Sequence, residues 1–198
     1  QFLQKIMQLI FSSLELCNGK VAPNPLFAIK ELYKAGVLDL LPQFLQPTFE
    51  AIDGLLTLPN DGQPFYGSTI SAIVSLLFIL FRLLGTNFDP AKYMNNMLSI
   101  LPITYKNDAT DIYISLMQIY SQFQQQLTDF TPLIIRGVSL TLALPNTTLS
   151  LSGMSEEMNQ QLITFLKAMI SAYPQAQQII SESVKDELGQ KRLTRVLQ

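Results

Sequence analysis

Along most of this chain apolar residues recur at i, i+3 and i+4, and short polar or proline-containing breaks separate the runs. That spacing belongs to helices with one buried face. Helices are expected near residues 2–17, 25–35, 38–57 (with Pro47 as a place for a kink), 65–84, 90–101, 109–125, 132–143, 155–172 and 175–187, and a short basic helix is expected to close the chain. Strand-like alternation is confined to a weak run, "VSLTLALPNTTLSLSG". It reads as a helix end followed by a loop, before a new helix start marked by Gly153, Ser155 and Glu156.

The breaks repeat. Leu-Pro occurs at Leu58-Pro59, Leu101-Pro102 and Leu144-Pro145, so that successive prolines stand 43 residues apart. HEAT-type helical repeats have periods of about 40–47 residues. At 17, 18 and 21 residues past each proline stand Leu76, Leu77 and Leu80, then Ile119, Tyr120 and Phe123, then Leu162, Ile163 and Leu166. All are apolar or aromatic, on one helix face. At 14 past the proline the series Ile73, Leu116, Asn159 weakens in its third copy.

Each unit therefore reads as helix, Leu-Pro stop, polar turn, helix. Proline cannot continue a helix interior and turns its predecessor away from α geometry. At the other ends, Asn24-Pro25, Asp89-Pro90 and Thr131-Pro132 each combine a capping side chain with a proline suited to the first helical position. The expected fold class is all-α, an α-α superhelix (HEAT/ARM-type solenoid) of about four to five helix pairs. Residues 1–198 are expected to form one tandem array. The chain begins at Gln1 inside an apolar-periodic segment, so it is expected to be the C-terminal part of a longer solenoid with an apolar outer N-terminal face.

Composition narrows the chemistry. Hydrophobic residues make up 48% and charged residues 14%, with a net charge of −2, which provides no basic field for direct nucleic-acid binding. There is no histidine, so histidine-ligated metal sites and Ser-His-Asp or Cys-His catalysis are excluded. Cys17 is the single cysteine; no intramolecular disulfide can form, and no activating partner marks it as a nucleophile. Residues 62–81 carry no charge, but only residues 70–81 are strongly apolar, and Ser71 and Ser75 interrupt them. A buried helix fits better than a span, which needs roughly 20 predominantly apolar residues. Asn146-Thr147-Thr148 fits a glycosylation sequon, a triplet common by chance.

Four stretches, "FYGSTISAIVSLLFIL", "MLSILPITYKNDATDIYISLMQIY", "DFTPLIIRGVSLTL" and "EEMNQQLITFLKAMI", occur in this order. Together they resemble the C-terminal HEAT repeats of the importin-β (karyopherin-β) superfamily, particularly the beta-3-like importins. Residues 68–73 partly match a family helix of the type Asn-Ala-x-Ser-Ala-Ile. Leu101-Pro102, then Asn107-Asp108 and Asp111, then Ile112-Tyr113 match its Leu-Pro, acidic turn and Tyr block. The chain departs from the pattern at Gly67-Ser68, in a less acidic turn and in having no tryptophan.

The resemblance implies a segment of a nuclear transport receptor, shuttling between cytoplasm and nucleus. Its partners would be protein cargo with basic signals, Phe-Gly nucleoporins, and Ran-GTP mainly through repeats outside this chain. A HEAT scaffold subunit of another complex, such as a phosphatase or assembly scaffold, is the alternative. No enzyme activity, cofactor or metal is expected, since catalytic groups do not converge and Asn60-Asp61-Gly62 is a turn rather than a phosphate loop.

Asp108, Asp111, Glu156 and Glu157 stand at or near the starts of two second helices, where they could meet basic signals. Equally, carboxylates at helix starts are stabilised by the macrodipole by about 0.3–1 kcal/mol each. Ser115, Gln118 and Gln122 are expected on the solvent side of the 109–125 helix, as further protein-binding candidates. Lys191, Arg192 and Arg195 are expected to form a solvated face at the end of the chain.

Overall fold

A computed structural model describes residues 2–16, 23–36, 42–57, 66–103 and 109–198. Over these residues all regular structure is helical, so the fold is all-α. The elements are α1 (Phe2–Leu16), α2 (Pro23–Lys34), α3 (Pro42–Leu56), α4 (Tyr66–Leu84), α5 (Pro90–Ser99), α6 (Ala109–Gln122), α7 (Thr131–Leu142), α8 (Asn146–Leu151), α9 (Glu156–Ala172), α10 (Ala176–Ser183) and α11 (Glu187–Leu197). The chain divides into two compact units, Gln1–Leu80 and Phe81–Gln198. Leu58-Pro59, Cys17, Asp108 and the polar turn after Ile103 lie outside the described residues.

In the first unit α1 packs on α2, and Phe11 of α1 stacks on Phe44 of α3 with ring centroids 6.4 Å apart. Leu26, Ile29 and Ile52 are fully buried, while Phe2 and Leu9 of α1 are largely exposed. The α3 helix runs continuously through Pro47. The Thr48 hydroxyl donates to the Phe44 carbonyl (2.8 Å) and so accepts from Tyr33 (3.2 Å). Burial raises the Tyr33 pKa, partly offset by that bond to Thr48. Asn24-Pro25 does not cap α2: the helix already begins at Pro23, which places both residues inside its first turn.

The helix expected near residues 65–84 is α4, which takes in most of the uncharged stretch. From Gly67 to Asn87 the chain is long and apolar enough to cross a membrane by length and composition. Every residue from Ser71 to Phe81 is nevertheless buried, which is the placement of a core helix apolar all round.

In the second unit α7 is central, packing on α5, α9, α10 and α11. Ile134, Ile135, Gly137, Val138, Ser139, Thr141 and Leu142 are all buried, so most of its circumference is covered. Asp89 caps α5 as expected, accepting from the Lys92 amide (3.3 Å) with Pro90 at the first helical position. Thr131 does not cap α7. It is the first helical residue, and its hydroxyl donates back to the Leu127 carbonyl (3.3 Å).

The first Leu-Pro in this unit follows α5, with a cis Leu101-Pro102 peptide and Leu101 buried. Leu101 fits because residue 137 of α7 is glycine. A Cβ there would lie 2.6 Å from Leu101 Cδ1 and 2.9 Å from its Cβ. The second, Leu144-Pro145, follows α7 and leads into α8, where a loop was expected. Pro145 stands at the N-cap of that short helix, and Gly153 closes it at φ +86°. The Met154 amide bonds the Leu149 carbonyl and the Gly153 amide the Ser150 carbonyl, so the turn satisfies carbonyls the helix end leaves open. Ser155 then caps α9 through the Met158 amide (3.1 Å).

Helices at equivalent places in the 43-residue spacing touch within the second unit. The first helices of the repeats built on Leu101-Pro102 and Leu144-Pro145, α5 and α7, are in contact, and so are their second helices, α6 and α9. Thr110 donates to the Gly153 carbonyl at 2.8 Å, and both residues stand eight past a repeat proline. Tyr120 meets Phe165 edge-on (5.5 Å), and Phe81 stacks on Phe123 (5.6 Å). Of the nine register positions, seven are buried; Tyr120 and Phe123 are half-buried.

Candidate functional site

The predicted surface residues differ in their exposure. Asp111 is half-buried in the first turn of α6. Gln118 and Gln122 are exposed, and Gln118 Oε1 accepts from Arg82 Nη1 at 3.1 Å. Ser115 is not on the solvent side: it is 1% exposed. With Ile112, Leu116 and Ile119 it completes the i, i+3, i+4, i+7 stripe that α6 turns inward. The same spacing read in the sequence places it there, and its polarity misled the expectation. Glu156 and Glu157 are exposed in the first turn of α9, where the Gln160 amide donates to Glu156 (3.3 Å).

Tyr113, the tyrosine of the Leu-Pro block, is fully buried and structural. The Thr141 hydroxyl donates to the Gly137 carbonyl (2.8 Å), and so the Tyr113 hydroxyl donates to Thr141. The Ile103 amide lies at 3.5 Å from the tyrosine oxygen as its donor. The relay ties the segment after Pro102 to α6 and α7. Burial pushes the Tyr113 pKa up to about 12, against the opposing bonds to Thr141 and Ile103.

Among the described residues, Glu156 lines a sizeable concavity, together with Arg192 and Arg195. A groove of about 490 Å³ is lined by the end of α7 with Leu144, by α8, and by one face each of α9 and α11. Its volume lies within the roughly 300–1,000 Å³ usual for ligand sites. Leu142, Leu149, Ile163 and Val196 supply apolar lining, and Arg195, Arg192, Asn159 and Gln160 join Glu156 as polar lining.

Arg192 is fixed within this wall. Its Nε donates to the Ala143 carbonyl at 2.6 Å, and its Nη2 lies 3.9 Å from Asp186. It is thus half-buried rather than part of a solvated face, whereas Lys191 is exposed and paired with Glu187 (2.6 Å). Arg195 is exposed and makes no hydrogen bond or ion pair with another described residue. Asn159 Oδ1 is buried and has no hydrogen-bond partner among the described residues. Sequence reasoning missed this site because Asn146 and Arg195 come together only through tertiary packing. The one signal was Asn159, the polar break in an apolar register position. Among the described residues no group of acidic or cysteine side chains is placed to hold a metal ion. No protein-family model, curated protein or solved structure matches the chain.

Proposed function

We propose that the chain is a protein-binding segment of a HEAT-type solenoid, and that it serves in a nuclear transport receptor. The observation that carries the solenoid reading is the in-register packing of α5 on α7 and of α6 on α9, with Thr110 bonded to its counterpart position at Gly153. Helix pairs of this kind bury their apolar faces against neighbouring pairs and leave other faces for partners. The transport reading is supported by the Leu-Pro, acidic turn and Tyr block at residues 101–113. The acidic residues Asp108, Asp111, Glu156 and Glu157 are the candidate contacts for basic cargo signals.

The test is retention on the immobilised 198-residue chain. Phe-Gly repeat peptides and peptides with basic signals are expected to be retained. If neither is, the transport reading fails, and the array is a scaffold for another complex.

A further inference from the structure

We propose that the groove between the end of α7, α8, α9 and α11 takes an extended peptide segment with an acidic residue beside an apolar one. Arg195, on the last turn of α11, pairs with no other described residue and is the cation the groove offers. Arg192 is a second guanidinium held in place by the Ala143 carbonyl, so that ordering it on binding costs little. Leu142, Leu149, Ile163 and Val196 offer an apolar surface for one side chain beside these cations. Asn159 has a buried amide oxygen that accepts from no donor among the described residues. Rotating that amide toward the groove lets a peptide N–H satisfy this buried acceptor, which is costly to leave unpaired.

Charge distribution selects the ligand class. Glu156 lines the same groove as the two arginines, so a uniformly anionic polymer meets repulsion there, whereas a peptide can place its acidic residue on Arg195 alone. The inference rests on the protein-binding part of the proposed function and not on transport. Its probes involve neither Phe-Gly repeats nor basic signals, so the two readings fail separately.

The experiment is fluorescence anisotropy on the 198-residue chain with short labelled peptides centred on Glu-Leu-Glu or Gln-Leu-Gln. The acidic peptide is expected to bind, and the neutral one much less. Arg195→Glu should weaken the acidic peptide about tenfold, as reversal of a charge-assisted contact does, and should leave the neutral one nearly unchanged. Lys167→Glu makes the same charge change on an exposed position outside the groove and should leave affinity nearly unchanged. Glu156→Gln should strengthen the acidic peptide. No binding, equal binding of both peptides, equal effects of the Arg195 and Lys167 variants, or displacement of the peptide by a single-stranded oligonucleotide would each overturn the proposal.

Discussion

Leu101-Pro102 and Leu144-Pro145 are the same dipeptide at the same repeat position, yet they are used differently. Leu101 is 2% exposed and sits against Gly137, with Tyr113 reaching over the backbone of Ile103. Leu144 is only half-buried and lines a groove, and its proline starts a six-residue helix rather than a turn. The comparison separates two roles of a repeat motif. Proline sets where the first helix stops through its own covalent geometry, while the packing of the preceding leucine depends on what the neighbouring helix offers. One copy closes the core; the other leaves a concavity.

The largest expected effect follows from the closed copy. Leu101→Ala should destabilise the chain by about 2–5 kcal/mol, the usual cost of emptying a core leucine site, measured by urea unfolding. Loss below about 1 kcal/mol would mean that Leu101 is not packed as described.

Alkaline titration probes the tyrosine behind it. In the unfolded chain Tyr113 ionises near its ordinary 10.0, and in the folded chain only near 12. Between those values the native state holds a proton that the unfolded state has released. Stability is therefore fully present below pH 10 and falls as pH rises toward 12, by about 3 kcal/mol for a two-unit difference. Tyr33 adds a contribution of the same sign. Urea midpoints across this range should drop steeply, and Tyr113→Phe should flatten the slope. An unchanged slope in that variant would show that Tyr113 is not buried.

Gly137→Ala should cost about 1–3 kcal/mol through overpacking against Leu101. The sign is diagnostic, because alanine at a helix position without close contacts stabilises by up to about 1 kcal/mol relative to glycine. A rise in thermal midpoint would contradict the tight approach of α7 to Leu101. Smallest of all, Leu144→Ala should cost less than about 1 kcal/mol, since its side chain is already partly in water. A loss equal to that of Leu101→Ala would erase the contrast between the two copies.

Most of the helical layout was legible because apolar period and proline punctuation are local. The starts of α5 and α9 followed from Asp89-Pro90 and Ser155, whose side chains accept from amides of the first turn. α8 was not legible: "NTTLSL" is poor in strong helix formers, and its single turn is held by Pro145 and the Gly153 closure. The first residues of α2 and α7 were misplaced: α2 already begins at Pro23, and the 3-10 turn Thr128–Phe130 runs directly into α7 at Thr131. Ser115 shows that hydroxyl chemistry is a weaker guide to facing than periodicity. The groove needed tertiary structure, since α11 reaches back to the Ala143 carbonyl over 49 residues.

The central claim is that successive helix pairs stack in one 43-residue register. Aromatic NOE spectroscopy tests it most directly, through Tyr120 with Phe165 and Phe81 with Phe123, whose ring centroids lie 5.5 and 5.6 Å apart. The stacked arrangement predicts cross-peaks for both pairs, with the Tyr120 signals lost in Phe165→Leu. Absence of both sets of cross-peaks in the folded chain would contradict it.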